Sequence, residues 1–140
     1  MFYAAGFALG RQLHRVRPWP IGARTVTAPA GHAVMLAGAA LAVGGATEIP
    51  RHHSTLVPQR EVSALVTTGV YRISRNPMYT GLALVYTGGS LRAGSWWPLV
   101  ELPAVLLLIR RLVIEPEERY LSSKYGEQYE SYRGRVRRWL

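Results

Sequence analysis

The 140-residue sequence contains no cysteine and no aspartate, and only one of its seventeen Lys and Arg residues is a lysine. Without thiols it can form no disulfide and offers no thiolate to a metal. Without aspartate it has no Ser/His/Asp triad. Its four histidines, His14, His32, His52 and His53, lack metal-ligand spacing and accompanying acids, so no metal site is expected. Gly88-Gly89-Ser90 is not a GxGxxG loop after a strand, which removes the Rossmann reading. The length suits one domain, residues 1–140.

What is abundant is arginine. Sixteen arginines and one lysine face eight glutamates, a formal charge of +9. Such an excess belongs either to a nucleic-acid binder or to the basic flanks of a membrane protein. A mean hydropathy of +0.04 does not separate the two; the distribution of apolar residues does. Residues 28–46, APAGHAVMLAGAALAVGGA, form a run without formal charge that is long enough to cross a bilayer core, and its small residues permit close helix contacts there. Pro77–Leu91 is uncharged, and Trp96–Ile109 carries only Glu101. The turn Arg92-Ala93-Gly94-Ser95 separates them. Neither run shows the polar face at helical period that a soluble hairpin would need. The leading MFYAAGFALG is about 15 Å of apolar helix, half a bilayer, and reads as the tail of a spanning helix that begins upstream. The expected fold is all-α and not Rossmann: a polytopic transmembrane bundle of three to four spans, the first shortened. Residues 1–46 supply N-terminal membrane helices and residues 47–140 the functional core.

With those spans, residues 11–27 and 92–95 fall on one side of the membrane with five arginines. Residues 47–76 and 110–140 fall on the other with twelve basic residues. The positive-inside rule places the richer side in the cytoplasm, at the inner or plasma membrane. The two polar segments, His52 to Asn76 and Glu115 to Leu140, then share one membrane face.

On that face, RISRNPMYTG (72–81) places Asn76 as a helix N-cap and Pro77 at the first helical position. The step is either an ordinary cap with snorkelling arginines or an anion site formed by helix amides with Arg72 and Arg75. In IEPEERYL (114–121), Pro116 reads as a second helix start with Glu117 and Glu118 in its first turn. Those acids either complement the helix dipole or hold an ammonium. Farther on, Leu121, Tyr125, Tyr129, Tyr132 and Val136 fall at helical spacing, the pattern of a C-terminal amphipathic helix lying at the membrane interface. Tyrosines beside arginines also suit RNA stacking, but no RNA-binding motif accompanies them, and no nucleic-acid partner is expected.

Taken in order, HHSTLVP (52–58), LVTTGVYRISRNPMYTG (65–81) and RLVIEPEERYLSSKYGEQYESYRGRVRRW (111–139) resemble the isoprenylcysteine carboxyl methyltransferase and phospholipid methyltransferase group. The resemblance covers roughly residues 47–140. Many relatives have Gly-Pro-Tyr where this chain has Gly69-Val70-Tyr71, and Thr-Thr in place of Ser54-Thr55. The resemblance implies a small integral membrane enzyme that uses S-adenosylmethionine (SAM) in a pocket on the cytoplasmic side. Carried over residue by residue, the cofactor positions are His52, Gly69, Tyr71, Arg75, Asn76, Pro77, Tyr79, Glu117 and Glu118. His52 is also the candidate catalytic base. The implied acceptor is a lipidic or amphipathic molecule from the bilayer, methylated on a carboxylate. The alternatives are a phospholipid amine, with Arg133, Arg135, Arg137 and Arg138 holding the phosphate, or a non-catalytic membrane protein that binds anionic lipid or a partner. The short spans make a homo-oligomer an expectation as well.

Overall fold

The computed structural model describes residues 1–53 and 65–140, with side chains for 1–48 and 65–140. The side chain of His52, and Ser54 and Thr55 altogether, lie outside the described residues. The described chain is all-α: α1 (Phe2–Val16), α2 (Arg24–His53), a 3₁₀ turn (Gly69–Arg72), α3 (Pro77–Ala93), α4 (Trp97–Ile109), a π-helical turn (Arg110–Ile114), α5 (Glu115–Tyr125) and α6 (Glu127–Arg135).

The uncharged run 28–46 is the middle of the 30-residue α2. Its segment Arg24–Glu48 is the one helix among the described residues that is long and apolar enough to cross a membrane. At 17 residues, α3 falls short of the roughly 20 that a spanning helix needs, and so does α4 at 13 when counted without the helical turns that follow it. The structure thus carries one such helix where three to four spans are expected.

Helices α2 and α3 pack along most of their lengths because glycines recur every seven residues on both. Gly31 lies against Gly88, Gly38 against Gly81, and Gly45 against Pro77 and Met78. A Cβ on Gly38 would stand 2.6 Å from the Gly81 carbonyl oxygen, and one on Gly31 2.5 Å from that of Gly88. Backbone meets backbone there, the arrangement that small residues allow between apolar helices.

Helix α1 closes the other side of α3. Tyr3 packs tilted and Phe7 edge-on against Tyr86, with ring centroids 6.1 and 5.5 Å apart, and the Tyr3 hydroxyl donates to the Tyr79 carbonyl at 2.8 Å. Gly10 of α1 lies directly on Pro98 of α4. At the end where α1 runs into α2 and α3 into α4, Trp19 packs against Trp96 and Trp97, and Trp97 donates its indole N–H to the Arg17 carbonyl at 2.7 Å. Indoles with one apolar side and one hydrogen-bonding edge suit a membrane–water boundary.

Two expectations at the opposite end are corrected. No new helix starts at Pro116: Ile109, Arg110, Ile114 and Glu115 all keep α-helical dihedrals, so α4, the π turn and α5 form one continuous rod. The Glu115 N–H bonds to the Arg110 carbonyl, five residues back. The wider turn fits the sequence, because Pro116 has no N–H to continue the ladder. Nor is the C-terminal segment one interfacial amphipathic helix. Gly126, at φ 51° and ψ −126°, breaks it into α5 and α6. Only glycine adopts that conformation readily, so the break is written into one residue. Helix α6 folds back and buries Tyr129 and Tyr132, and the helix ends at Val136, which is extended. Trp139 ends against the core of Val105, Ile109 and Ile114.

Candidate active site

The turn around Gly69–Arg72, the start of α3, and helices α5 and α6 enclose a cavity of about 330 Å³. Tyr71, Arg75 and Asn76 form one wall, Glu117, Glu118 and Leu121 a second. Tyr125, Tyr129 and Tyr132 supply an aromatic third, and Leu65, Val66, Tyr120 and Lys124 also line it.

Arg75 is the most connected residue there. Its Nη1 lies 3.2 Å from Glu118 Oε1 and 3.4 Å from the Tyr129 hydroxyl. Its backbone N–H donates to the Arg137 carbonyl at 2.9 Å. The side chain is only 9 % exposed, and Nε has no acceptor among the described residues. A buried N–H left unpaired costs free energy comparable to a hydrogen bond, and the Arg75 guanidinium carries that cost at the cavity wall.

Glu118 is gripped from two sides. Arg138 donates from Nε to Oε1 at 3.0 Å and from Nη2 to Oε2 at 2.7 Å, while Arg75 approaches Oε1. Burial pushes the Glu118 pKa up, but the Arg138 hydrogen bond and the charges of Arg75, Arg138 and Arg133 outweigh it and hold the carboxyl below its usual value. Glu117 has no ion pair among the described residues. Crowding by surrounding atoms, then the charge of Glu118, raise its pKa. Burial first, then Glu117, Glu48 and Tyr79, raise that of Tyr71, so the phenol stays neutral beside the Glu117 carboxylate.

The RNP step is built differently from the expected cap. Pro77 does open α3, but the Asn76 side chain makes no cap hydrogen bond. Its Nδ2 donates instead to the Arg138 carbonyl at 3.1 Å, and Ser74 Oγ accepts the Asn76 N–H at 3.1 Å. The Met78 amide, which an anion at this helix end would use, faces Gly45: a Cβ there would lie 3.0 Å away. The cavity therefore presents Arg75 and Asn76 side chains rather than an open helix end.

Of the sequence-derived cofactor residues, the cavity gathers Tyr71, Arg75, Asn76, Glu117 and Glu118. Gly69, Pro77 and Tyr79 are not in its lining. Gly69 has φ +56° and packs on the Glu48 side chain, Pro77 is buried against Gly45, and Tyr79 packs on the Val105–Ile109–Ile114 core. His52 falls outside the residues with described side chains. The four C-terminal arginines do not form one phosphate clamp. Arg138 is committed to Glu118, Arg133 pairs with Glu130 at 3.5 Å on the surface, and Arg135 donates to its own helix at the Ser131 carbonyl. Arg137 is exposed. Ser74 was not visible as a site residue from sequence: a fully buried serine that donates to the Arg138 carbonyl at 3.2 Å carries no motif of its own.

Residues 26–128 match the phospholipid methyltransferase family. The chain is 36 % identical over 63 residues to an uncharacterized protein of Haemophilus influenzae, covering 45 % of this chain and all of that protein. It is 35 % identical over 72 residues to the protein-S-isoprenylcysteine O-methyltransferase of Schizosaccharomyces pombe, which is 51 % of this chain but 30 % of that enzyme. No solved structure gives a significant match. Because the match extends from α2 into α6 and spans most of the cavity wall, the chain belongs to the phospholipid methyltransferase family.

Proposed function

We propose that the cavity holds SAM and that the protein, inserted in the membrane with this cavity at the cytoplasmic face, methylates a lipidic or amphipathic acceptor. The observation that carries the reading is the gathering, in one small cavity, of the Arg75 and Asn76 side chains with a Glu117 carboxylate that has no described cation against it. SAM has a carboxylate and an ammonium on one carbon. Arg75 and Asn76 suit the first, and Glu117 suits the second. The tyrosines offer faces for the adenine and for the sulfonium, as cation–π partners. A volume of about 330 Å³ lies within the range of small-molecule sites.

Bound SAM supplies a methyl group on a sulfonium, already activated for in-line displacement. The chain's own residues align the reactants and exclude water, which supplies much of the rate for such a displacement. A carboxylate acceptor is ionised at neutral pH and needs no base, so an isoprenylcysteine-like O-methylation asks for no further residue. A phospholipid amine must lose a proton. His52, or a cavity glutamate not engaged by the SAM ammonium, is the candidate to take it. The whole chain, 1–140, acts as one membrane domain in either case.

Calorimetric titration of SAM into detergent-purified protein tests the cofactor, and labelled SAM with lipid extracts separates the acceptors. Absence of SAM binding would leave a non-catalytic lipid-binding protein as the better account.

A further inference from the structure

The family match ends at residue 128, yet the cavity wall depends on a residue ten positions beyond it. We propose that Arg138 is a positioning residue: by taking both oxygens of Glu118, it limits Arg75 to one prong on that carboxylate, so that the Arg75 guanidinium stays in the cavity wall, and it latches residues 136–140 across the start of α3. The proposal rests on the SAM-site reading for the identity of the ligand, but not for the latch.

A carboxylate facing a single guanidinium favours a two-pronged pairing that uses two N–H groups of the same fork. Here Arg138 provides that fork, from Nε at 3.0 Å and Nη2 at 2.7 Å. Arg75 is left touching Glu118 through Nη1 alone, at 3.2 Å, with Nε unpaired. Remove the Arg138 guanidinium, and Glu118 gains most by turning onto the Arg75 fork. That would draw the Arg75 guanidinium out of the cavity wall.

Backbone ties place the guanidinium. The Arg138 carbonyl accepts from Ser74 Oγ at 3.2 Å and from Asn76 Nδ2 at 3.1 Å, and the Arg137 carbonyl accepts from the Arg75 N–H at 2.9 Å. Trp139 adds an apolar anchor on the core. Three polar ties and one indole hold five residues that have no helix of their own.

The test compares the wild-type chain with Arg138→Ala and, as a control for lost charge, exposed Arg119→Ala. Hydrogen exchange of the Arg75 amide, read in the ligand-free protein, reports the latch; SAM titration reports its effect on the cavity. Arg138→Ala should speed exchange at Arg75 and weaken SAM about tenfold, the equivalent of one charge-assisted hydrogen bond. Millimolar guanidinium should restore both, and equal sodium chloride should not, which separates a vacated guanidinium site from general loosening. Arg119→Ala should change neither. If Arg138→Ala does not fold, Arg138→Lys replaces it: one prong instead of two, with intermediate affinity and exchange. Unchanged exchange and affinity, or loss that guanidinium cannot restore, would overturn the proposal. Should the wild type bind no SAM, the cofactor reading fails, and the exchange contrast alone decides the latch.

Discussion

Glu117 and Glu118 are neighbours in α5, yet their carboxylates live in opposite fields: two arginines close on Glu118, while Glu117 faces Tyr71 with no cation among the described residues. Their substitutions should therefore separate. Glu117→Gln should weaken SAM binding about tenfold while leaving thermal stability close to wild type. Glu118→Gln should lower stability by about 2 kcal/mol, because Arg75 and Arg138 lose their shared partner. Calorimetry and thermal melts on the two variants check the split.

A pH dependence follows from the same pair. The Glu117 pKa is raised, so a cation held by its charged form is released as pH falls through that value, at higher pH than for an ordinary glutamate. SAM affinity should show this acid limb, and Glu117→Gln should abolish it. Glu118 behaves in the reverse sense. Its pKa is lowered, so its contribution to stability is present above the unfolded-state value and is lost as pH falls through the lower folded value. Melts at decreasing pH should show the stability gap between wild type and Glu118→Gln closing there.

Gly126→Ala should cost about 1–3 kcal/mol, since nothing lies within 4 Å of the added methyl and the whole penalty is conformational. It should also favour the single long helix that the spacing of Leu121, Tyr125, Tyr129 and Tyr132 suggests. Circular dichroism would then show helix content held or increased while SAM binding is lost, because Tyr129 and Tyr132 leave the cavity.

Gly81→Ala puts a methyl against Gly38 and Ala42 backbone, where no flexible side chain can yield. Overpacking of this kind costs about 1–3 kcal/mol. A lower melting temperature in detergent is expected, larger than for Gly134→Ala, which meets nothing within 4 Å.

The limits of sequence reading can be traced to individual residues. Asn76-Pro77 announced the start of α3 because proline is tolerated only where an N–H is dispensable. The same rule misled at Pro116, where a π turn absorbs the missing bond instead of a helix end. Helical period correctly grouped Tyr129 with Tyr132 but could not show that Gly126 turns them inward. The pairing of residues 137 and 138 with residues 74–76 has no local signature, since it joins positions some sixty apart. The richness of 28–46 in small residues pointed to close helix contacts, but the pairing of Gly31, Gly38 and Gly45 with Gly88, Gly81 and Pro77 shows only once α2 and α3 are packed together.

That pairing also works as a ruler. Gly31 to Gly45 spans about 21 Å of helix at 1.5 Å per residue, with the tryptophan end beyond one terminus and the start of α3 at the other. Sliding α3 along α2 by a single residue would drive a side chain into a gap that admits only backbone. The depth of Arg75 below the tryptophan rim is consequently fixed by five glycines, none of which lines the cavity.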